Sequence, residues 1–122
     1  MNHSTEKLHR FGIKIFFEPD TTPDPSRCIP IFHRWIQERS LGGVLIDVAD
    51  YTHLTDGPSV ILVGHEGNLS FDTLDQRSGL FYSRKCTSQD PFQARVIDVA
   101  RMLFSACQLL EKDPSLDQAV RF

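Results

Sequence analysis

Residues 59–72 read Ser-Val-Ile-Leu-Val-Gly-His-Glu-Gly-Asn-Leu-Ser-Phe-Asp, and how this stretch divides decides the fold. Its first half, Ser59 to His65, is rich in β-branched residues and follows Thr55-Asp56-Gly57-Pro58, a turn composition, so it reads as a strand. His65-Glu66-Gly67-Asn68 then offers residues that reverse a chain, and Leu69 and Phe71 alternate with Ser70 and Asp72 at the period of a half-buried strand. Divided in this way, the stretch predicts an antiparallel meander. The undivided alternative is one longer strand through Glu66, with Gly64 and Gly67 marking bulges.

Working outward, a turn over 75–79 leads to a further strand, Leu80-Phe81-Tyr82-Ser83-Arg84. Upstream, Val44-Leu45-Ile46-Asp47-Val48-Ala49 forms a strand whose strict alternation puts Val44, Ile46 and Val48 on one face and Leu45, Asp47 and Ala49 on the other. Before it, Ile29, Phe32, His33 and Ile36 recur at helical spacing beside Ile31 and Trp35, which predicts a helix over about 27–39 with Pro30 in its first turn. Ser40-Leu41-Gly42-Gly43 is its expected stop, since glycine adopts the left-handed conformation that ends helices. The first strand is expected at Ile13-Lys14-Ile15-Phe16-Phe17, halted by Glu18-Pro19.

A second helix has the clearest start signal. Asp90 stands as a cap, Pro91 suits the first helical position and Gln93 lies three residues after the cap. The apolar set from Phe92 to Leu110, including Val96, Ile97, Val99, Leu103, Phe104 and Cys107, is wider than one sheet contact requires. Asp113-Pro114 ends this helix, leaving a tail in which Leu116, Val120 and Phe122 can dock as a short turn or edge segment.

Strand, helix, three or four strands, helix is the order of an α+β fold, here a two-layer sandwich with a mostly antiparallel sheet of four or five strands and two main helices. The whole 122-residue chain is expected to form one domain, with 1–10 and 114–122 as peripheral termini. A chain of this mass exposes roughly 6,700 Å² folded against about 20,000 Å² extended, enough burial for a core without disulfides or a structural metal. The sheet's second face, expected to carry Leu45, Ala49, Ile61, Val63 and some aromatic residues, has no predicted layer to cover it. It is an expected place for self-association or a ligand.

Thirteen basic against sixteen acidic residues give a net charge of −3 and a pI near 5.9, which provide no attraction to nucleic acid or to an anionic membrane. Cys28, Cys86 and Cys107 lack zinc-knuckle spacing and no signal peptide precedes them, so the expectation is a cytoplasmic protein with free thiols. Membrane insertion is not expected, because the apolar runs are short. The average charge conceals an asymmetry. Residues 40–76 hold six acids, Asp47, Asp50, Asp56, Glu66, Asp72 and Asp75, and no lysine or arginine.

Two function classes follow. The first is a small binding or interaction protein acting as a homodimer, with a small molecule or a protein as further partner and Asp50, Tyr51, His53, Glu66 and Asn68 as the binding residues. The second is a small enzyme. Asp47 falls inside an apolar strand, where a carboxylate needs water or a partner such as Arg84 or Arg34, or else serves to orient His65 in general acid–base chemistry. No cofactor is expected. The alternative is a divalent metal on Asp50, His53 and Glu66, whose oxygen and nitrogen donors suit such an ion.

Overall fold

In the computed structural model, which describes residues 8–41, 45–54, 57–87, 91–116 and 120–122, the elements run β1 (Leu8–Phe16), α1 (Cys28–Glu38), β2 (Leu45–Asp50), β3 (Pro58–Gly64), β4 (Gly67–Asp72), β5 (Gly79–Thr87) and α2 (Phe92–Glu111). The 59–72 stretch divides. His65 and Glu66 are the turn between β3 and β4, which pair antiparallel with Leu62 opposite Leu69 and Val63 opposite Asn68. β2 through β5 make the expected meander, and β1 closes the sheet by pairing antiparallel with β5, from Leu8 opposite Thr87 to Phe16 opposite Gly79. The strand order is therefore β1-β5-β4-β3-β2, an α+β two-layer sandwich with five antiparallel strands. No helix among the described residues is long and apolar enough to cross a membrane.

Strand alternation sorts the sheet into two faces. Val60 and Leu62 of β3, Leu69 and Phe71 of β4, and Leu80 and Tyr82 of β5 are buried on the inner face. Both helices pack there. α1 contributes Cys28, Ile31, Phe32 and Trp35, and α2 contributes Val99, Leu103, Ala106, Cys107 and Leu110, to the same buried cluster. α1 lies over β2 and β3, α2 over β5 and β1. Residues 120–122 dock on the core without forming a turn or a strand: Val120 is buried, Phe122 stacks near Phe17 with ring centroids 4.6 Å apart, and Glu18 N donates to Arg121 O at 2.8 Å. Where β1 meets the start of β5 the backbones approach so closely that a Cβ on Gly79 would stand 2.3 Å from Ile15 O, so only glycine fits.

Four local expectations are corrected. β1 starts at Leu8 instead of Ile13, because Phe11, Ile13 and Ile15 all pack on the core along one continuous ladder; 8–10 belong to the sheet and not to a peripheral terminus. α1 ends on Arg39, itself left-handed (φ 54°, ψ 44°), with its N–H donating to Ile36 O; Gly42 and Gly43 of the expected stop lie outside the described residues. Pro91 is the extended residue before α2 and not its first helical position, and no side chain caps that end among the described residues; Asp90 lies outside them.

The fourth correction concerns β2. Its register against β3 slips between Leu45, opposite Gly64, and Asp47, opposite Val63, so one extra residue is accommodated there. Strict alternation fails at that point. Leu45 and Val48 end up together on the core side, while Ile46 is turned out and 58% exposed. Leu45 thus leaves the second face to which alternation assigned it. Val44 lies outside the described residues.

The two helices are also tied at their C-terminal ends. The Arg34 guanidinium of α1 donates to the Asp113 carboxylate just past α2, whose side chain is only 4% exposed. Burial pushes this carboxyl upward, but hydrogen bonds from Ser115 Oγ and N and from Arg34 outweigh it, and the group is held below the ordinary carboxylate range. A depressed folded value means the stabilisation is complete above the unfolded carboxyl's value, near 3.9, and is lost as pH falls through the folded one. Asp113→Ala is expected to cost about 1–3 kcal/mol at pH 7. In urea melts across pH, the gap to the parent protein should close below about pH 4.

Candidate functional site

The side chains singled out from sequence fall in three places. Asp47 sits on the outer side of β2, exposed, its Oδ1 accepting the N–H of Val48 at 2.8 Å. It is neither buried nor paired with Arg34 or Arg84, whose carboxylate partners are Asp113 for the first and Glu66 and Asp98 for the second. Of the partner or water that a carboxylate in this strand needs, it has water, because it lies on the outer side of an edge strand. His65 lies in the exposed β3–β4 turn, two residues beyond the partner of Asp47.

At the other end of β2, Asp50 caps its own loop. Its Oδ1 accepts from Thr52 Oγ1 at 2.6 Å and Thr52 N at 2.9 Å, and these two bonds lower its pKa. Tyr51 and His53 follow in the exposed loop, ring centroids 6.5 Å apart, with Tyr51 N donating to Ser59 O at 2.7 Å. Glu66 and Asn68 belong to the opposite end of β3. Glu66 receives Arg84 at 3.1 Å, and Asn68 Oδ1 accepts Gly64 N at 3.4 Å across the hairpin.

This layout overturns the alternative metal set. Asp50 is level with Val60 while Glu66 follows Gly64, so four strand residues, about 13 Å, lie between them. Among the described residues no three histidine, cysteine or acidic side chains gather in a metal-holding group. The binding set proposed from sequence is likewise divided between two ends of the sheet.

Arg84, on the inner side of β5, was legible from sequence only as a partner for Asp47. It instead bridges Glu66 and Asp98 of α2, the latter at 3.3 Å, so it ties the β3–β4 turn to the helix layer. Beside it is an open hollow of about 460 Å³ lined by Ser40, Leu41, Asp98, Arg101, Met102 and Ser105 as well as Arg84. A second hollow of about 340 Å³ lies between the C-terminal ends of the helices, at Trp35, Glu38, Leu109 and Lys112. None of the catalytic, binding or metal candidates proposed from sequence lines either one.

The remaining feature is the outer face of the sheet. Read across β1, β5, β4, β3 and β2, one row is Lys14, Phe81, Ser70, Ile61, Ala49 and the next is Gly12, Ser83, Asn68, Val63, Asp47. Phe81 lies flat over Gly12, its Cζ only 2.6 Å from where a Cβ would stand. At one corner Lys14 pairs with Asp72 at 3.7 Å, and the Arg77 guanidinium lies 3.8 Å from the centre of the Phe16 ring. Both described helices pack on the opposite face, and along these rows Ser70 is buried while Ile61, Val63, Asn68 and Phe81 are partly exposed. Ala49, Ile61 and Val63 are where sequence placed them; Phe81, Lys14 and Arg10 were not singled out for this face, although β1 alternation would have shown the two basic residues opposite Phe11 and Ile13.

No family model, no curated protein and no solved structure matches the chain. The fold and surface define its class, a five-stranded α+β sandwich with one helix-covered face and one open face.

The described thiols do not suit nucleophilic chemistry. Cys28 and Cys107 are free and buried under the helices, and burial, with Asp113 and Asp24 near the first and Glu111 near the second, pushes both up to about 12. Mass spectrometry after iodoacetamide treatment at pH 8 should find both unmodified in the native protein and both alkylated in urea.

Proposed function

We propose that this chain is a small cytoplasmic interaction protein that works as a homodimer, using the open face of its sheet as the contact surface. One observation carries the reading: β3 is apolar on both sides. Val60 and Leu62 are sealed in the core, and Ile61 and Val63 point the other way, Ile61 between Ala49 and Ser70 and Val63 between Asp47 and Asn68. A sheet with one wet face alternates apolar and polar residues, whereas a run apolar on both sides belongs to a strand covered on both. Ser70, which separates Ile61 from Phe81, is small and only 6% exposed, and Asn68 separates Val63 from Ser83. Buried, unpaired Cys28 and Cys107 accord with a reducing compartment.

Sedimentation equilibrium over a concentration series tests the reading. Dimer is expected at tens of micromolar, and Ile61→Lys, which alters the outer face and leaves the core intact, should give monomer with an unchanged circular dichroism spectrum. A parent protein that stays monomeric throughout the series would overturn it.

A further inference from the structure

Resting on the homodimer reading, we infer that the two copies meet open face to open face about a twofold axis running along β4, so that β1 of each copy lies across β2 of the other. The basis is the distribution of charge over the face. Arg10 and Lys14 alternate outward along β1, and Asp47 points outward from β2 at the far edge. Chain order explains this. The segment without lysine or arginine, 40–76, forms β2, β3 and β4, and the strand order gathers the basic-flanked β1 and β5 on the opposite side.

A twofold axis relates two such sheets in three limiting orientations. An axis perpendicular to it joins edges only and leaves Ile61 and Val63 in water. With an axis in the plane and across the strands, β1 lies on β1 and β2 on β2, which sets like charge against like charge and costs affinity. An axis along the strands, over the central β4, exchanges left and right: basic β1 meets acidic β2 twice.

The same operation matches shapes. Ser70, the small residue at the middle of the central strand, falls on the axis; Phe81 of one copy comes over Ile61 of the other, and Ser83 over Val63. Asp47 arrives at the row of Gly12, over the Phe81 ring that covers this glycine and between the levels of Arg10 and Lys14. One carboxylate, Asp72, is carried near its own counterpart, and there Lys14 of the same copy already neutralises it. Five strands about 4.8 Å apart and about 20 Å long give a footprint of roughly 500 Å² per copy. That is the lower end of specific interfaces, the size of weak or transient ones.

Charge exchange tests the orientation. Arg10 is the better basic partner to alter, because Lys14 also serves Asp72 within its own copy. Arg10→Glu alone and Asp47→Lys alone should each weaken the dimer ten-fold or more by sedimentation, since each places two like-charge contacts in the homodimer. Mixing the two variants sets the introduced glutamate of one chain against the introduced lysine of the other, and leaves the native Asp47 of the first facing the native Arg10 of the second. Native mass spectrometry should therefore show the mixed dimer in preference to either homodimer, and the doubly substituted chain should recover parental affinity. Circular dichroism confirms that each variant is folded. A parental dimer whose affinity neither substitution changes, or a mixture with no preference for the mixed species, overturns the orientation while the homodimer stands; a monomeric parent overturns both.

Discussion

Five antiparallel strands present two faces, and the chain has helix enough to cover one. α1 spreads over β2 and β3, α2 over β5 and β1, and the two meet above the middle of the sheet, where Phe32, Leu103, Leu110, Leu62 and Phe71 are fully enclosed. Burial of this kind contributes about 1.5–3 kcal/mol for each large apolar side chain, which makes the shared cluster the main source of stability. Helix placement then follows from packing more than from capping: both helices lack a side-chain cap at their N-termini among the described residues. Their shared face determines what is left over, namely the outer rows of the sheet and the shallow hollows at the helix ends.

The parts of the fold legible in the sequence are those governed by local periodicity. Val60 and Leu62 alternating with Ile61 and Val63, followed by Gly67 and the Leu69–Phe71 pair, dictate a hairpin, and the hairpin dictates the meander. Helical spacing in Ile31, Phe32 and Trp35 likewise finds α1. Reading fails where a single residue breaks the period. In β2 the slip at Ile46 exchanges the sides of Leu45 and Ile46, while Asp47, Val48 and Ala49 keep the faces that alternation gives them. Arg39 shows a different limit: a left-handed arginine is held by the backbone bonds that close the helix, and nothing in its own chemistry announces it.

The candidate site was less legible because its parts are related through strand order, which local patterns do not specify. Asp50 and Glu66 look like members of one acidic set and stand at opposite ends of β3. Arg84 and Asp98 are remote from Glu66 in the chain yet bridge it to α2. The long-range ladder between β1 and β5 has the largest effect of this kind, because it turns a difference in charge along the chain into a difference across the sheet.

That ladder also imposes an order on folding. β1 is synthesised before its partner, and residues 17–78 must be made before β5 can receive it. β2 through β5 pair with immediate neighbours and bring little loop-closure cost, whereas β1 must wait for the most distant contact in the sheet. Until it arrives, β5 is an edge with unpaired N–H and C=O groups, Phe11, Ile13 and Ile15 have no core to join, and α2 lacks half the floor beneath it. The pairing that finishes the sheet thus closes its longest loop, and until it closes β5 keeps an edge open to mispairing.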